Sequence, residues 1–141
     1  MQSRLFKLAR EDEGLTYGIY TYLSLNDDSC LIQGGFASSQ DNMPKIISIV
    51  KDQWQAMREK GVTKAELQAA KDYLISSFNL RFAEIPDIAQ QLALMQRQNL
   101  GLNFLKERNL LVQNVQLADV NRAAKVYFNP NQIVFVSTGK Q

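Results

Sequence analysis

Gly14 separates two patterns that cannot belong to one element. Ahead of it, Leu5, Phe6, Leu8 and Ala9 give the chain the apolar side of a helix. Behind it, Tyr17-Gly18-Ile19-Tyr20-Thr21-Tyr22-Leu23 reads as a strand. A glycine just past a helix can take a positive φ and end it. The chain is therefore expected to leave a helix at Gly14 and enter a sheet a few residues later. Arg10 then falls in the last helical turn and Tyr17 at the start of the strand. Their side chains can converge, and a guanidinium and a phenol aimed at one point are two donors for one oxygen. Spacing alone also allows a plainer account. Arg10 would then offset the negative end of a helix, and Tyr17 would pack on a strand face.

The rest of the chain is read by periodicity and punctuation. Residues 17–25 and 29–37 are expected to form a hairpin around Asn26-Asp27-Asp28. Its register is not fixed by sequence. Asp41 or Asn42 is a candidate N-cap, followed by Pro44 in the first turn. The next helix carries Ile46, Ile47, Val50, Trp54 and Met57 on one stripe and ends at Gly61. Thr63-Lys64-Ala65-Glu66 is a capping box that opens a further helix, extending to about Phe82. Pro86 and Asp87 permit a new start. That helix, through Leu100, is apolar on much of its surface, so it is expected to be sandwiched between other elements. Gly101 breaks it, and residues 102–112 form another short helix. Residues 117–128 form the last, with Leu117, Val120, Ala123, Ala124 and Tyr127 buried. Asn129-Pro130-Asn131 turns the chain into a final strand over residues 132–138.

Strands and helices are segregated along this order, which argues α+β. The expected architecture is a small, mostly antiparallel sheet, hairpin plus C-terminal strand, with several helices on one face. With 141 residues, a single domain over 1–141 is expected. A net charge of +2 gives no basic face of the kind nucleic-acid binders carry. No stretch approaches the about 20 apolar residues of a membrane span. Composition suits a soluble protein and leaves the compartment open, whether cytoplasmic or periplasmic and exported.

The run Ser3-Arg4-Leu5-Phe6, Arg10-Glu11 and Gly14-Leu15-Thr16-Tyr17 resembles the second-half domain of the insulinase/pitrilysin-like zinc metallopeptidases, the inverzincins. The likeness extends to Tyr127-Phe128-Asn129-Pro130-Asn131 and Ile133-Val134-Phe135-Val136-Ser137-Thr138-Gly139, similar to the family's closing helix, turn and last strand. Thr16 departs mildly from the family pattern, where Ala or another small residue is expected. In that family an Arg and a Tyr reach across to the zinc-bearing first half and help bind the carbonyl under attack. The resemblance assigns those roles to Arg10 and Tyr17. It also implies that strands and a helix precede this motif, so that the chain is the later part of one half-domain. A sheet without those strands would have a free edge and is expected to self-associate when isolated. Tyr20, Tyr22, Leu31 and Phe36 would lie on the strands left uncovered.

The family's zinc site is a His-x-x-Glu-His helix with a distant Glu. This chain has no His and a single Cys, Cys30. Zinc is held mainly by imidazole and thiolate, so no cofactor is expected here, with zinc in the partner half. Other groups have plainer readings. Glu11-Asp12-Glu13 reads as a solvated helix end, and Asp27-Asp28 as turn chemistry. Cys30, on a strand with no His to activate it, reads as an inert core thiol. Tyr17, Tyr20, Tyr22 and Phe36 read as sheet packing, and Gly34-Gly35 as close packing or a bulge. The expected function is the non-zinc part of a zinc metalloendopeptidase acting on peptides or small proteins, silent alone. The partner is the zinc-bearing half-domain, on the same polypeptide or another subunit. The alternatives are a non-catalytic scaffold of the same family and an unrelated α+β ligand-binding module. Absence of Arg/Tyr convergence would favour the last.

Overall fold

The computed structural model describes residues 3–25 and 29–139. The order is a helical turn α1 (Arg4–Phe6) running into a π-helix (Lys7–Asp12), then strands β1 (Ile19–Leu25) and β2 (Cys30–Phe36). Five helices follow: α2 (Met43–Lys60), α3 (Lys64–Phe78), α4 (Ile85–Arg97), α5 (Phe104–Asn114) and α6 (Leu117–Tyr127). The class is α+β, as the segregated pattern implied. Two compact units are present, one formed by Val62–Ala123 and the other by the chain up to Gly61 together with the chain from Ala124 on.

The second of these units holds the core and the candidate site. Ala9 and Ile46 are fully buried, with Leu5, Ile19 and Val50 beside them. Phe6, Leu15, Phe36, Trp54, Ile133 and Phe135 pack around this cluster. The expected apolar sides of the first helix and of α2 thus face one another, because positions four apart share a helix face. Trp54 meets Phe128 at 4.9 Å between ring centroids. Arg4 Nη2 donates to the Gly61 carbonyl at 3.0 Å, tying the start of the chain to the C-terminal end of α2. A carbonyl left over at a helix end is a natural partner for such a cation.

The hairpin is antiparallel, with Ile19 opposite Phe36, Thr21 opposite Gly34 and Leu25 opposite Cys30. The Asn26-Asp27-Asp28 turn lies outside the described residues. Gly34 and Gly35 serve close packing. A Cβ at Gly34 would stand 2.5 Å from the Tyr20 carbonyl oxygen, and one at Gly35 would stand 2.9 Å from the Tyr20 hydroxyl. Tyr20 stacks on Tyr22, which donates to Gln33 Oε1 across the pair. Cys30 corrects the sequence reading: it is exposed, because it sits at the far end of the hairpin from the core.

Residues 132–138 also differ from expectation. Pro130–Gln132 is a 3-10 turn, and the chain beyond it is extended without pairing to a described strand. Ile133 and Phe135 still point to the core while Val134 and Val136 are 84% and 93% exposed. The alternation is that of a half-buried strand. A strand is completed by a neighbour's hydrogen bonds, and the β1–β2 sheet does not provide them.

In the other unit the capping box forms as expected: Glu66 N–H donates to Thr63 Oγ1 at 3.2 Å and Thr63 N–H donates to Glu66 Oε2 at 2.8 Å. Lys71 Nζ donates to the Gln113 carbonyl, and the Arg108 guanidinium lies 4.2 Å from the Phe78 ring centroid, linking α3 to α5. At the start of α6 the Gln116 N–H, and then Arg122, hold the Asp119 carboxyl below its ordinary range. The charged form is favoured, so this helix end loses that support only as pH falls through the lowered value. Helix α4 is not sandwiched within this unit. Met95 is buried, but Leu92 and Leu94 remain exposed, since the helix packs chiefly on the Asn79–Phe82 turn. On α6, Ala124 is buried whereas Tyr127 is exposed; the next residue, Phe128, takes the inward place. Among the described residues no helix is long and apolar enough to cross a membrane.

Gly61 has φ 68° and ψ −148°, a region essentially closed to side-chain-bearing residues. Gly61→Ala is expected to lower stability by about 1–3 kcal/mol, read as a reduced urea midpoint at unchanged slope. An unchanged midpoint would show that the turn relaxes freely.

Candidate functional site

The end of the first helix builds the site. In the Lys7–Asp12 stretch the turns are wider than in an α-helix, and Glu13 N–H donates to the Leu8 carbonyl at 3.1 Å. Gly14 then takes φ 61°, and Leu15 N–H reaches back to the Ala9 carbonyl at 2.8 Å. This is the expected glycine stop. The π character was not legible in the sequence; π-bulges recur at functional sites.

Arg10 and Tyr17 line one open cleft of about 620 Å³, together with Gly14, Leu15, Thr16, Ala37, Ser38, Ser39 and Asn42. Tyr17 is 96% exposed and stands two residues ahead of β1, not within it. Its ring has left the sheet face because the strand ladder begins only at the Ile19–Phe36 pair. The Arg10 guanidinium lies 4.8 Å from the Phe6 ring centroid. That contact steadies the long side chain while leaving its N–H fork available, since a ring face offers no conventional hydrogen-bond acceptor. Among the described residues neither Arg10 nor Tyr17 spends a side-chain hydrogen bond on another group. Both residues thus line the same concave, open space.

Two further residues shape the cleft and were not picked out as functional from sequence. Thr16 is buried, with Oγ1 2.7 Å from the Ala37 carbonyl oxygen and 2.9 Å from that of Gly18. Ser38 Oγ donates to the Leu15 carbonyl at 2.8 Å. The signal present in the sequence was Thr16 standing where a small residue was expected. Glu13, in the acidic run, is salt-bridged by Lys45 of α2, in keeping with a helix-end role.

The donor chemistry does not fit the zinc site of the inverzincins. The sequence has no His and one Cys, and no cluster of three or more His, Cys, Asp or Glu among the described residues could hold a metal.

Fold and cleft together describe an α+β unit that presents donors and lacks the ligands of a zinc peptidase. The comparisons with known proteins name the family: residues 1–74 match the Peptidase M16 inactive domain, and the chain belongs to that family. An uncharacterized zinc protease, YmxG, of Bacillus subtilis is 33% identical over 82 residues, covering 57% of this chain and 20% of the relative. A Helicobacter pylori relative named a non-peptidase homolog is 27% identical over 133 residues, covering 94% of this chain and 31% of its own. The crystal structure of a peptidase M16 inactive domain from Pseudomonas fluorescens superposes with a TM-score of 0.79 at 26% identity, over 92% of this chain and 31% of the other. A protease structure from Helicobacter pylori shares the fold, with a TM-score of 0.70 at 19% identity over 92% of this chain and 32% of the other. The chain thus spans no more than a third of the length of these relatives. It represents part of the inactive domain of its family.

With no imidazole available, purified and dialysed protein is expected to carry zinc well below one ion per chain. A chelator is expected to leave its melting temperature unchanged. One tightly held Zn²⁺ per chain by metal analysis would contradict this.

Proposed function

We propose that this chain supplies Arg10 and Tyr17 as paired donors to a zinc endopeptidase whose metal and general base belong to another, zinc-bearing half. That half sits on the same polypeptide or on a partner subunit. The observation that carries the reading is the shared cleft, which Arg10 and Tyr17 line with uncommitted donors. In this reading residues 1–141 act as one domain, the C-terminal part of a half-domain. The substrate is a peptide or small protein presenting a main-chain carbonyl to the cleft.

Hydrolysis of a peptide bond builds negative charge on the carbonyl oxygen. Zinc, bound in the other half, would activate the attacking water. The contribution of this chain is to the oxygen. The Arg10 guanidinium offers a charged N–H and the Tyr17 phenol an O–H. Both bonds strengthen as the oxygen becomes an oxyanion, so they lower the barrier more than they tighten ground-state binding. Losing one such donor typically costs on the order of 2.7–4 kcal/mol in barrier.

The name of the Helicobacter pylori relative, a non-peptidase homolog covering nearly all of this chain, favours a second reading. There the domain completes an inactive assembly and the donors are unused. Arg10→Lys and Tyr17→Phe in the reconstituted two-half enzyme separate the two. Lys keeps the charge without the planar fork, and Phe keeps the ring without the donor. Under the donor reading each is expected to lower kcat about 100-fold or more with zinc content intact. Unchanged turnover in both, or no turnover in the unmodified assembly, would favour the scaffold.

The partner of the isolated chain is proposed to be a second copy. Tyr20, Tyr22 and Leu31 are exposed on a two-stranded sheet, and the described residues leave both of its edges unpaired. A two-fold pairing of like edges satisfies both copies. Sedimentation at micromolar concentration is expected to show a dimer. A monomer at every concentration would remove this proposal.

A further inference from the structure

We propose that Thr16 and Ser38 are positioning residues for Tyr17: their hydroxyls tie the loop that carries the phenol to the segment leaving β2. The proposal rests on the donor reading of Arg10 and Tyr17.

Tyr17 needs such a device. At 96% exposure its ring has almost no packing to hold it. It lies ahead of β1, so the strand ladder does not fix its backbone either. What defines its place is the backbone on each side. Leu15 is held by its N–H to the Ala9 carbonyl and by its carbonyl to Ser38 Oγ. Thr16 points inward at 7% exposure, and Gly18 N–H donates to its Oγ1 at 3.2 Å. The same hydroxyl has two carbonyl oxygens in reach, those of Ala37 and Gly18. Its hydrogen is shared between them, or goes to the nearer, Ala37.

The geometry explains why a hydroxyl works here and a plain methyl does not. The chain bends at Tyr17, with Thr16 buried before the bend and Tyr17 exposed on it. Anchoring Thr16 inward therefore sends Tyr17 outward into the cleft. The bonds join residues 21 and 23 positions apart, so they close the base of the hairpin beyond its last ladder pair. A Val at position 16 has nearly the same shape, yet it leaves the Gly18 N–H and the Ala37 carbonyl without this partner. Gly18 and Ala37 are exposed, so water can take up both groups, and what is lost is the tie across the base of the hairpin. Without that tie the loop moves independently of the segment leaving β2, and the phenol loses its fixed position.

The test uses Thr16→Val, Thr16→Ser and Ser38→Ala. Amide exchange of the purified protein reads the clamp directly. In Thr16→Val, exchange at Gly18, whose N–H donates to Thr16 Oγ1, is expected to quicken about tenfold, while the Ile46 and Val50 amides keep their protection. Thr16→Ser is expected to restore the slow rates. Ser38→Ala, which removes the one bond from Ser38 Oγ to the Leu15 carbonyl, serves if Thr16→Val does not fold. In the two-half enzyme Thr16→Val is expected to lower kcat about fivefold at unchanged KM, and to lower it no further when combined with Tyr17→Phe. Unchanged exchange would overturn the clamp. Equal loss of kcat with and without the Tyr17→Phe change would make Thr16 a merely structural residue. If Tyr17→Phe alone leaves kcat unchanged, the donor reading falls, and the exchange rates alone then decide whether the clamp exists.

Discussion

The stop at Gly14 is the constraint on which the site depends. A helix that buries Leu5 and Ala9 against α2 must end sharply if its chain is to reach the sheet at Ile19, which joins the same core. Only a positive φ makes that turn within so few residues, and the Leu15 N–H to Ala9 carbonyl bond closes it. The consequence is geometric. Arg10 stays on the solvent side of the helix end because Ala9 is locked inside. Tyr17 emerges on the cleft because Thr16 is locked inside. Two buried small residues thus aim two exposed polar ones.

Under the proposed function, this division of labour suits a domain that supports chemistry without holding a metal. Oxyanion donors act through placement, and rigid placement lets them act without reorganising as charge develops. The core of Ile46, Val50, Ile19 and Ala9 supplies the rigidity. The hydroxyls of Thr16 and Ser38 carry it across the loop to the cleft. The membership in the Peptidase M16 inactive domain family gives the arrangement its context, and the sequence has no His to offer a zinc ion.

Much of this was legible in the sequence because strong local signals did not depend on neighbours. Gly14, Gly61 and the Thr63–Glu66 box act within a few residues, and each behaves as its chemistry dictates. The stripe on α2 was readable for the same reason. What periodicity could not give was the partner of each apolar face. Residues 132–138 carry a strand's alternation, yet pairing is a property of two segments. The same holds for α4, whose apolar surface stays largely open in its unit, and for Cys30, buried by pattern and exposed by position in the hairpin. The site divides likewise. Motif and spacing pointed to Arg10 and Tyr17. The hydroxyl clamp joins residues distant in sequence, and the π-helix before Gly14 left no compositional mark.

The central claim is that Arg10 and Tyr17 bind the oxygen that becomes charged. The most direct measurement is NMR of the assembled two-half protein, observing the Arg10 Nε–H and the Tyr17 ring on addition of a phosphinic peptide. Its tetrahedral oxyanion imitates the attacked carbonyl. The account predicts that both signals shift together with the saturation of the site, the Arg10 Nε–H moving downfield as a charge-assisted hydrogen bond forms. Binding of the analogue with both signals unmoved would contradict it.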